Sequence, residues 1–153
     1  MERFNRIITM REIEFRGKDC HGNWRYGSLV KFEGLQAAIY YPIRHPKNNH
    51  YILRADWCYV DEDTVGQYTG LKDKKKTKIY EGDVIRYGEQ NFLISSSRFA
   101  IPLFVAIACE QKKGEYYFVE LWEIRRDKKR IRVIGNRYDN PELLNQQKKE
   151  KGK

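Results

Sequence analysis

The sequence predicts a mainly β fold in one domain, ending in a short C-terminal helix. Three features point there. Apolar runs of strand length, some alternating and some continuous, recur along the chain. Turn-forming pairs such as Gly22-Asn23, Gly82-Asp83 and Gly135-Asn136 punctuate them. Eleven Tyr, seven Phe and three Trp can bury much area from few positions, which offsets a hydrophobic share of 41% and a charged share of 33%. With 153 residues the chain has room for one core but not for two ordinary domains.

The elements follow in order. Ile13 and Phe15 alternate with Glu12, Glu14 and Arg16, the period of a half-buried strand. Gly22-Asn23 turns the chain, and Trp24 to Phe32 returns, so the first segment reads as a hairpin. Ala37 to Ile43 is a strand, placed at an edge or an end by Pro42. Residues 45–50 form a loop, Tyr51 to Val60 a strand and Asp61 to Thr64 an acidic turn. In the glycine-rich stretch Val65 to Ile85, Gly66 and Gly70 mark positive φ or close backbone approach. Thr77 to Tyr80 and Val84 to Tyr87 flank the turn Glu81-Gly82-Asp83, a hairpin or diverging-turn signal. Small β-barrels of the SH3 type use such turns, an analogy of fold only.

Beyond it, Asn91 to Ile94, Leu103 to Cys109, Glu115 to Ile124 and Arg132 to Ile134 read as strands. Asn140-Pro141-Glu142 has the order of a helix start, with Asn as N-cap, Pro at the first helical position and Glu in the first turn. The helix would run from Pro141 to about Lys148. The expected organisation is one domain over 10–147, an extension over 1–9 and a disordered basic tail over 148–153.

Charge and cysteines narrow the class. The formal net charge is +9, but the tail 146–153 alone holds four lysines against one glutamate, so the body is only mildly basic. No apolar run is long enough to span a membrane, and the first residues lack the apolar core of a signal peptide. Cys20, Cys58 and Cys109 are odd in number and widely separated, which suggests reduced thiols and a cytoplasmic setting.

The search for chemistry gives a ranked set of weak signals. Cys20, His21, His45, His50 and Cys58 show no paired metal-ligand spacing, so no metal or cofactor is expected. Nothing marks an activated thiol. Glu81 and Asp83, or the Asp61 to Asp63 carboxylates, could hold a divalent ion on a shared face, although Gly82 favours a turn in which Asp83 caps backbone amides. Gly66 and Gly70 do not make a phosphate loop, because the Lys-Ser/Thr pair and the following helix are missing. Two basic turns are the candidate binding patch: Lys74, Lys75, Lys76 and Lys78 in one, Arg125, Arg126, Lys128, Lys129 and Arg130 in the other. Solvated loops that keep strand ends soluble explain them as well. A backbone-tracking patch would have Tyr116, Tyr117 or Trp122 nearby for base stacking.

Four pieces together resemble the YopX family of phage and prophage proteins. They are the run Met10 to Arg16, the run Val65 to Asp73, the run Ile79 to Val84, and Val133 to Asn136 with Asn140 to Leu144. The match runs in order, with Met10 an alternative translation start, and the middle two pieces are the specific ones. The resemblance implies a β-rich fold with an SH3-type barrel component and a bacterial host cytoplasm. It implies no established activity and no catalytic residues. Two departures stand out. Lys75-Lys76 replaces the usual Asn-Gly, so a two-residue type I′ turn is disfavoured and another turn type is expected. Arg137 replaces a usually apolar residue.

The functional expectation is a non-enzymatic phage accessory protein that binds nucleic acid or a host or phage protein, without a membrane role and with homo-oligomerisation left open. The alternative is a metal-dependent nuclease-like enzyme using Glu81 and Asp83 or the Asp61 to Asp63 carboxylates.

Overall fold

The computed structural model describes residues 12–44, 51–96, 104–109, 118–124, 127 and 130–144. Within them the chain is mainly β, in two antiparallel sheets. The first has the order β4-β3-β2-β1-β5-β6 and the second β10-β9-β8-β7-β11. The strands of the first are β1 Phe15–Lys18, β2 Trp24–Val30, β3 Ala38–Arg44, β4 Tyr51–Tyr59, β5 Asp61–Lys72 and β6 Lys78–Tyr80. Those of the second are β7 Asp83–Tyr87, β8 Gln90–Ser96, β9 Phe104–Ala108, β10 Phe118–Glu120 and β11 Ile131–Asn136.

The expected N-terminal hairpin is present, with Phe15 opposite Gly27 and Lys18 opposite Trp24. Its turn is held by Asp19, whose carboxylate accepts from the amides of His21 and Asn23. The Glu81–Asp83 turn is a diverging one. It hands the chain from β6 in the first sheet to β7 in the second, and Asp83 Oδ2 accepts from the Tyr80 amide at 2.8 Å. The glycines behave as the sequence suggested: Gly70 and Gly82 have φ of 82° and 83°, and a Cβ on Gly66 would lie 2.4 Å from the Glu81 carbonyl oxygen.

Two cores result. The larger joins the sheets: Leu71 and Ile79 from β5 and β6 pack with Ile85, Phe92, Ile94, Ala106, Ile131, Leu121 and Ile124. The smaller sits on one face of the first sheet, where Ala37, Ile39 and Val60 are packed by Phe15, Leu29, Tyr41, Cys58 and Val65.

Four expectations change. No closed barrel is found among the described residues; the sheets stay open with β4 and β10 at their edges. The proposed C-terminal helix is a single 3-10 turn, Pro141–Leu144; positions 145–153, like 1–11, lie outside the described residues. Asp61 to Thr64 is not a turn but the start of a twelve-residue strand. Pairing of Lys18 with Asp61 and the bond from the Lys18 amide to Thr64 Oγ1 hold it to β1. The strand expected through Ile124 gives way at Glu120 to a helical turn, α1 Leu121–Ile124, which turns Leu121 and Ile124 into the larger core.

The lysine turn resolves the first departure from the family pattern. Its loop has three residues, Lys74 to Lys76: Lys76 N donates to the Asp73 carbonyl and Asp73 N to the Thr77 carbonyl. Lys76 carries the positive φ, 68°, where an L side chain is strained and glycine is not. Lys76→Gly should therefore stabilise the fold by about 1 kcal/mol, read as a higher urea midpoint with an unchanged slope.

Candidate functional site

The two sheets are joined at a buried ion pair. Arg16 on β1 meets Asp83 at 2.6 Å, with side chains 7% and 3% exposed. Arg16 also donates to the Glu81 carbonyl at 3.2 Å and lies 4.5 Å from the Trp24 ring and 5.0 Å from the Tyr80 ring. Burial raises the Asp83 carboxyl above its ordinary range, while Arg16 and the Tyr80 amide oppose that rise. Tyr80 OH donates to Glu14, which with Glu12 also pairs with Lys78. Burial and the neighbouring Glu14 push the Tyr80 hydroxyl up.

A second contact closes the other end of this junction. Asp139 accepts from Lys18, from Trp24 Nε1 and from Asn136, and the Trp24 ring lies against Tyr138. These donors, Lys18 foremost, lower the Asp139 carboxyl to about 2. Arg137 is exposed and reaches over the Tyr138 ring, so this position does not face the core.

The structure divides the predicted basic patch. Asp73 is buried and organises the first turn: Oδ1 accepts from the amides of Lys75 and Thr77, and Oδ2 from the Val133 amide on β11. Lys74 N donates to the Ile131 carbonyl at 3.1 Å. The first basic turn is thus fastened to the strand that follows the second. Lys74, Lys75 and Lys76 are exposed. Lys78 is not part of an outward patch, because Glu12 and Glu14 hold it and it lies over the Tyr68 ring. Arg130 pairs with Asp127 at 3.5 Å and covers the Tyr87 ring. Arg125, Arg126, Lys128 and Lys129 lie outside the described residues.

The candidate ion-binding carboxylates are not brought together. Asp83 faces Arg16, and Glu81 accepts from the amide and hydroxyl of Ser96. Asp61 accepts from the Asp63 amide, and Glu62 pairs with Lys31 and accepts from the Ala37 amide. Among the described residues no three His, Cys, Asp or Glu side chains are grouped to hold a metal. Cys20, His21 and Cys58 do line one pocket, of about 410 Å³, with Asp19, Arg25, Gln36, Tyr59 and Asp61. Burial pushes the Cys58 thiol up, away from the nucleophilic thiolate, while backbone and Arg25 hydrogen bonds hold Asp19 at about 2. His45 and His50 lie outside the described residues.

Sequence reasoning missed the exposed aromatics. Tyr116, Tyr117 and the Trp122 side chain fall outside the described residues, whereas Tyr26, Tyr40, Trp57 and Tyr59 are open on the first sheet. The signal was present in the two-residue spacing of Trp57 and Tyr59, but Cys58 between them and Val60 after them are also apolar and hide which face is core.

A model of the family described as YopX protein matches residues 14–145. The chain belongs to the YopX family. No curated protein matches this YopX chain. A search of solved structures gives the crystal structure of protein EF1440 from Enterococcus faecalis, at 20% identity and a TM-score of 0.38, over 88% of this chain and 99% of that one. No helix among the described residues is long and apolar enough to cross a membrane.

Two tests address the junction. Arg16→Met leaves Asp83 buried without its counter-charge and should cost about 3–5 kcal/mol in urea unfolding. Asp83→Asn added to it should recover part of the loss, and no recovery would refute the charge account. Because the raised Asp83 carboxyl binds its proton more readily folded than unfolded, the Arg16→Met defect should shrink as pH falls toward 3.8, the ordinary value, and grow as pH rises. Asp139 has the opposite sign. Its lowered carboxyl adds stability above 3.8 that is lost as pH falls toward 2. Asp139→Asn should be less stable at neutral pH and flatten the acid limb of the stability profile over that window.

Proposed function

We propose that this YopX-family chain is a non-enzymatic phage or prophage accessory module that binds a polyanionic macromolecule through its lysine turn. The observation that carries the reading is the bond from Lys74 N to the Ile131 carbonyl. It sets Lys74, Lys75 and Lys76 beside the strand that the second basic turn feeds, on a loop made rigid by Asp73. Cations fixed in place before binding lose little freedom on contact with phosphates, and each neutralised phosphate releases counterions.

Five other cations of the first sheet have internal duties. Arg16, Lys18, Arg25, Lys31 and Lys78 each face a carboxylate of the same chain. Lys74, Lys75 and Lys76 face outward and have no such partner among the described residues, so they are free to meet a polyanion.

Fluorescence polarisation with labelled DNA and RNA across a salt series tests this. Replacing Lys74, Lys75 and Lys76 by Ala should reduce the slope of log affinity against log salt by about 2, from about 0.7 per single-strand phosphate contact. An unchanged slope would remove the lysine turn from the contact. No binding to either nucleic acid at low salt would end the reading.

A further inference from the structure

The outer face of the second sheet carries two opposed arginines. Ile85 and Ile131 lie in the larger core, and Tyr87 and Val133 pack against it, so the alternate residues Arg86 and Arg132 face the other way. Both are exposed, and they stand directly opposite one another across β7 and β11. Side chains in that relation have Cβ atoms about 4.5–5.5 Å apart, and like charges there repel. Among the described residues no carboxylate pairs with either arginine. Asp127 is taken by Arg130, and the exposed Glu89 of the β7–β8 loop makes no ion pair with them.

Arg86 is held in its place. Opposite it on β8 is Asn91, 1% exposed, whose Oδ1 accepts from Arg86 Nε at 2.9 Å. A guanidinium only donates, so the Asn91 oxygen must face it. Asn91 Nδ2 is then left buried without a hydrogen-bond partner, a costly arrangement for an amide. The two Nη groups of Arg86 stay uncommitted among the described residues. On the other side of Arg132 lies the lysine turn. Lys74 N donates to the Ile131 carbonyl and Val133 N to Asp73 Oδ2, so the turn grips β11 at the residues flanking Arg132. From the turn to β7 is two strand spacings, about 10 Å. Lys74, Lys75, Lys76, Arg132 and Arg86 therefore form one cationic row across two sheets.

The chemistry of the row selects phosphate. A guanidinium presents paired N–H donors that match two oxygens of one phosphate, and a phosphate set between Arg86 and Arg132 turns their repulsion into two charge-assisted contacts. The described residues of β7, β8, β9 and β11 that share this face include no ring. Nothing there offers stacking to bases or the aromatic anchor typical of a protein interface. We infer that Arg86 and Arg132 clamp a backbone phosphate of a nucleic acid whose neighbouring phosphates lie on the lysine turn, with Asn91 positioning Arg86. Contact of this kind is indifferent to base sequence. The inference rests on the polyanion reading above and adds a second contact, on the other sheet, and the chemical group it takes.

Two labelled duplexes of unrelated sequence and equal length, titrated by polarisation over a salt series, test it. The doubly substituted Arg86→Gln/Arg132→Gln chain should bind both about 10- to 150-fold more weakly, with a salt slope lower by about 0.9, the share of one phosphate. Arg86→Lys/Arg132→Lys keeps both charges and should keep the slope, while binding less tightly than the natural chain because the fork is lost. Asn91→Asp adds a carboxylate beside Arg86 Nε and should lower the slope with both arginines in place, a change that a purely structural role would not produce. A urea midpoint shows that each variant is folded. Full affinity and an unchanged slope in folded Arg86→Gln/Arg132→Gln overturn the inference and leave the lysine reading intact. A loss confined to one of the two sequences overturns it too, since a phosphate contact weakens both alike. Inorganic phosphate and polyglutamate are added as competitors at constant ionic strength. Displacement of the duplex by micromolar phosphate assigns the pair to a free anion, and displacement by polyglutamate as effective as by unlabelled duplex assigns it to acidic protein; either overturns the inference. No binding of any nucleic acid at low salt overturns both readings.

Discussion

The Arg16–Asp83 pair is the contact on which the arrangement of the two sheets depends. Asp83 sits where the chain leaves one sheet for the other, so its position is fixed by backbone geometry at the Tyr80 amide. Arg16 comes from the central β1 strand of the first sheet. Taking both charges out of water is costly, and the pair restores that cost only when its geometry and hydrogen bonds are good. The Glu81 carbonyl and the Trp24 and Tyr80 rings supply further contacts, and Arg16 Nε is left buried without a hydrogen-bond partner. A pair of this kind is a poor source of net stability and a strong constraint on geometry, because any other angle between the sheets would strand a buried charge.

Much of the fold could be read from residue order. The hairpin across Gly22-Asn23, the strands around Ile39 and Ile85, and the glycine positions followed from local pattern, because neighbouring residues decide them. What could not be read depended on distant partners. Asp61 to Thr64 has the composition of a turn, yet β1 recruits it as strand. Leu121 and Ile124 have a strand-like context, yet a large core placed beside them favours one helical turn. The sheet exchange at Gly82 was legible as a turn but not as a crossing, since both outcomes use the same residues.

The candidate site divides along the same line. The lysine turn was visible because charge runs are local. Its attachment to β11 through Asp73 was not, because Val133 is sixty positions away. Net charge counted every cation alike, whereas the fold draws Arg16, Lys18 and Lys78 inward onto rings and carboxylates. The exposed ring row escaped notice because both faces of β4 are apolar in this segment, and only pairing registers say which side is free.

The diverging turn also orders events as the chain is made. Every strand of the first sheet precedes Glu81, and every strand of the second follows Gly82. A chain emerging from the ribosome can therefore complete its first sheet before any strand of the second exists. Until then Arg16 has no carboxylate from this turn, and Asp83 arrives three positions after Tyr80. In such a half-built state that guanidinium would have the Trp24 and Tyr80 rings but not its carboxylate, and the next few residues to emerge are the ones that supply it.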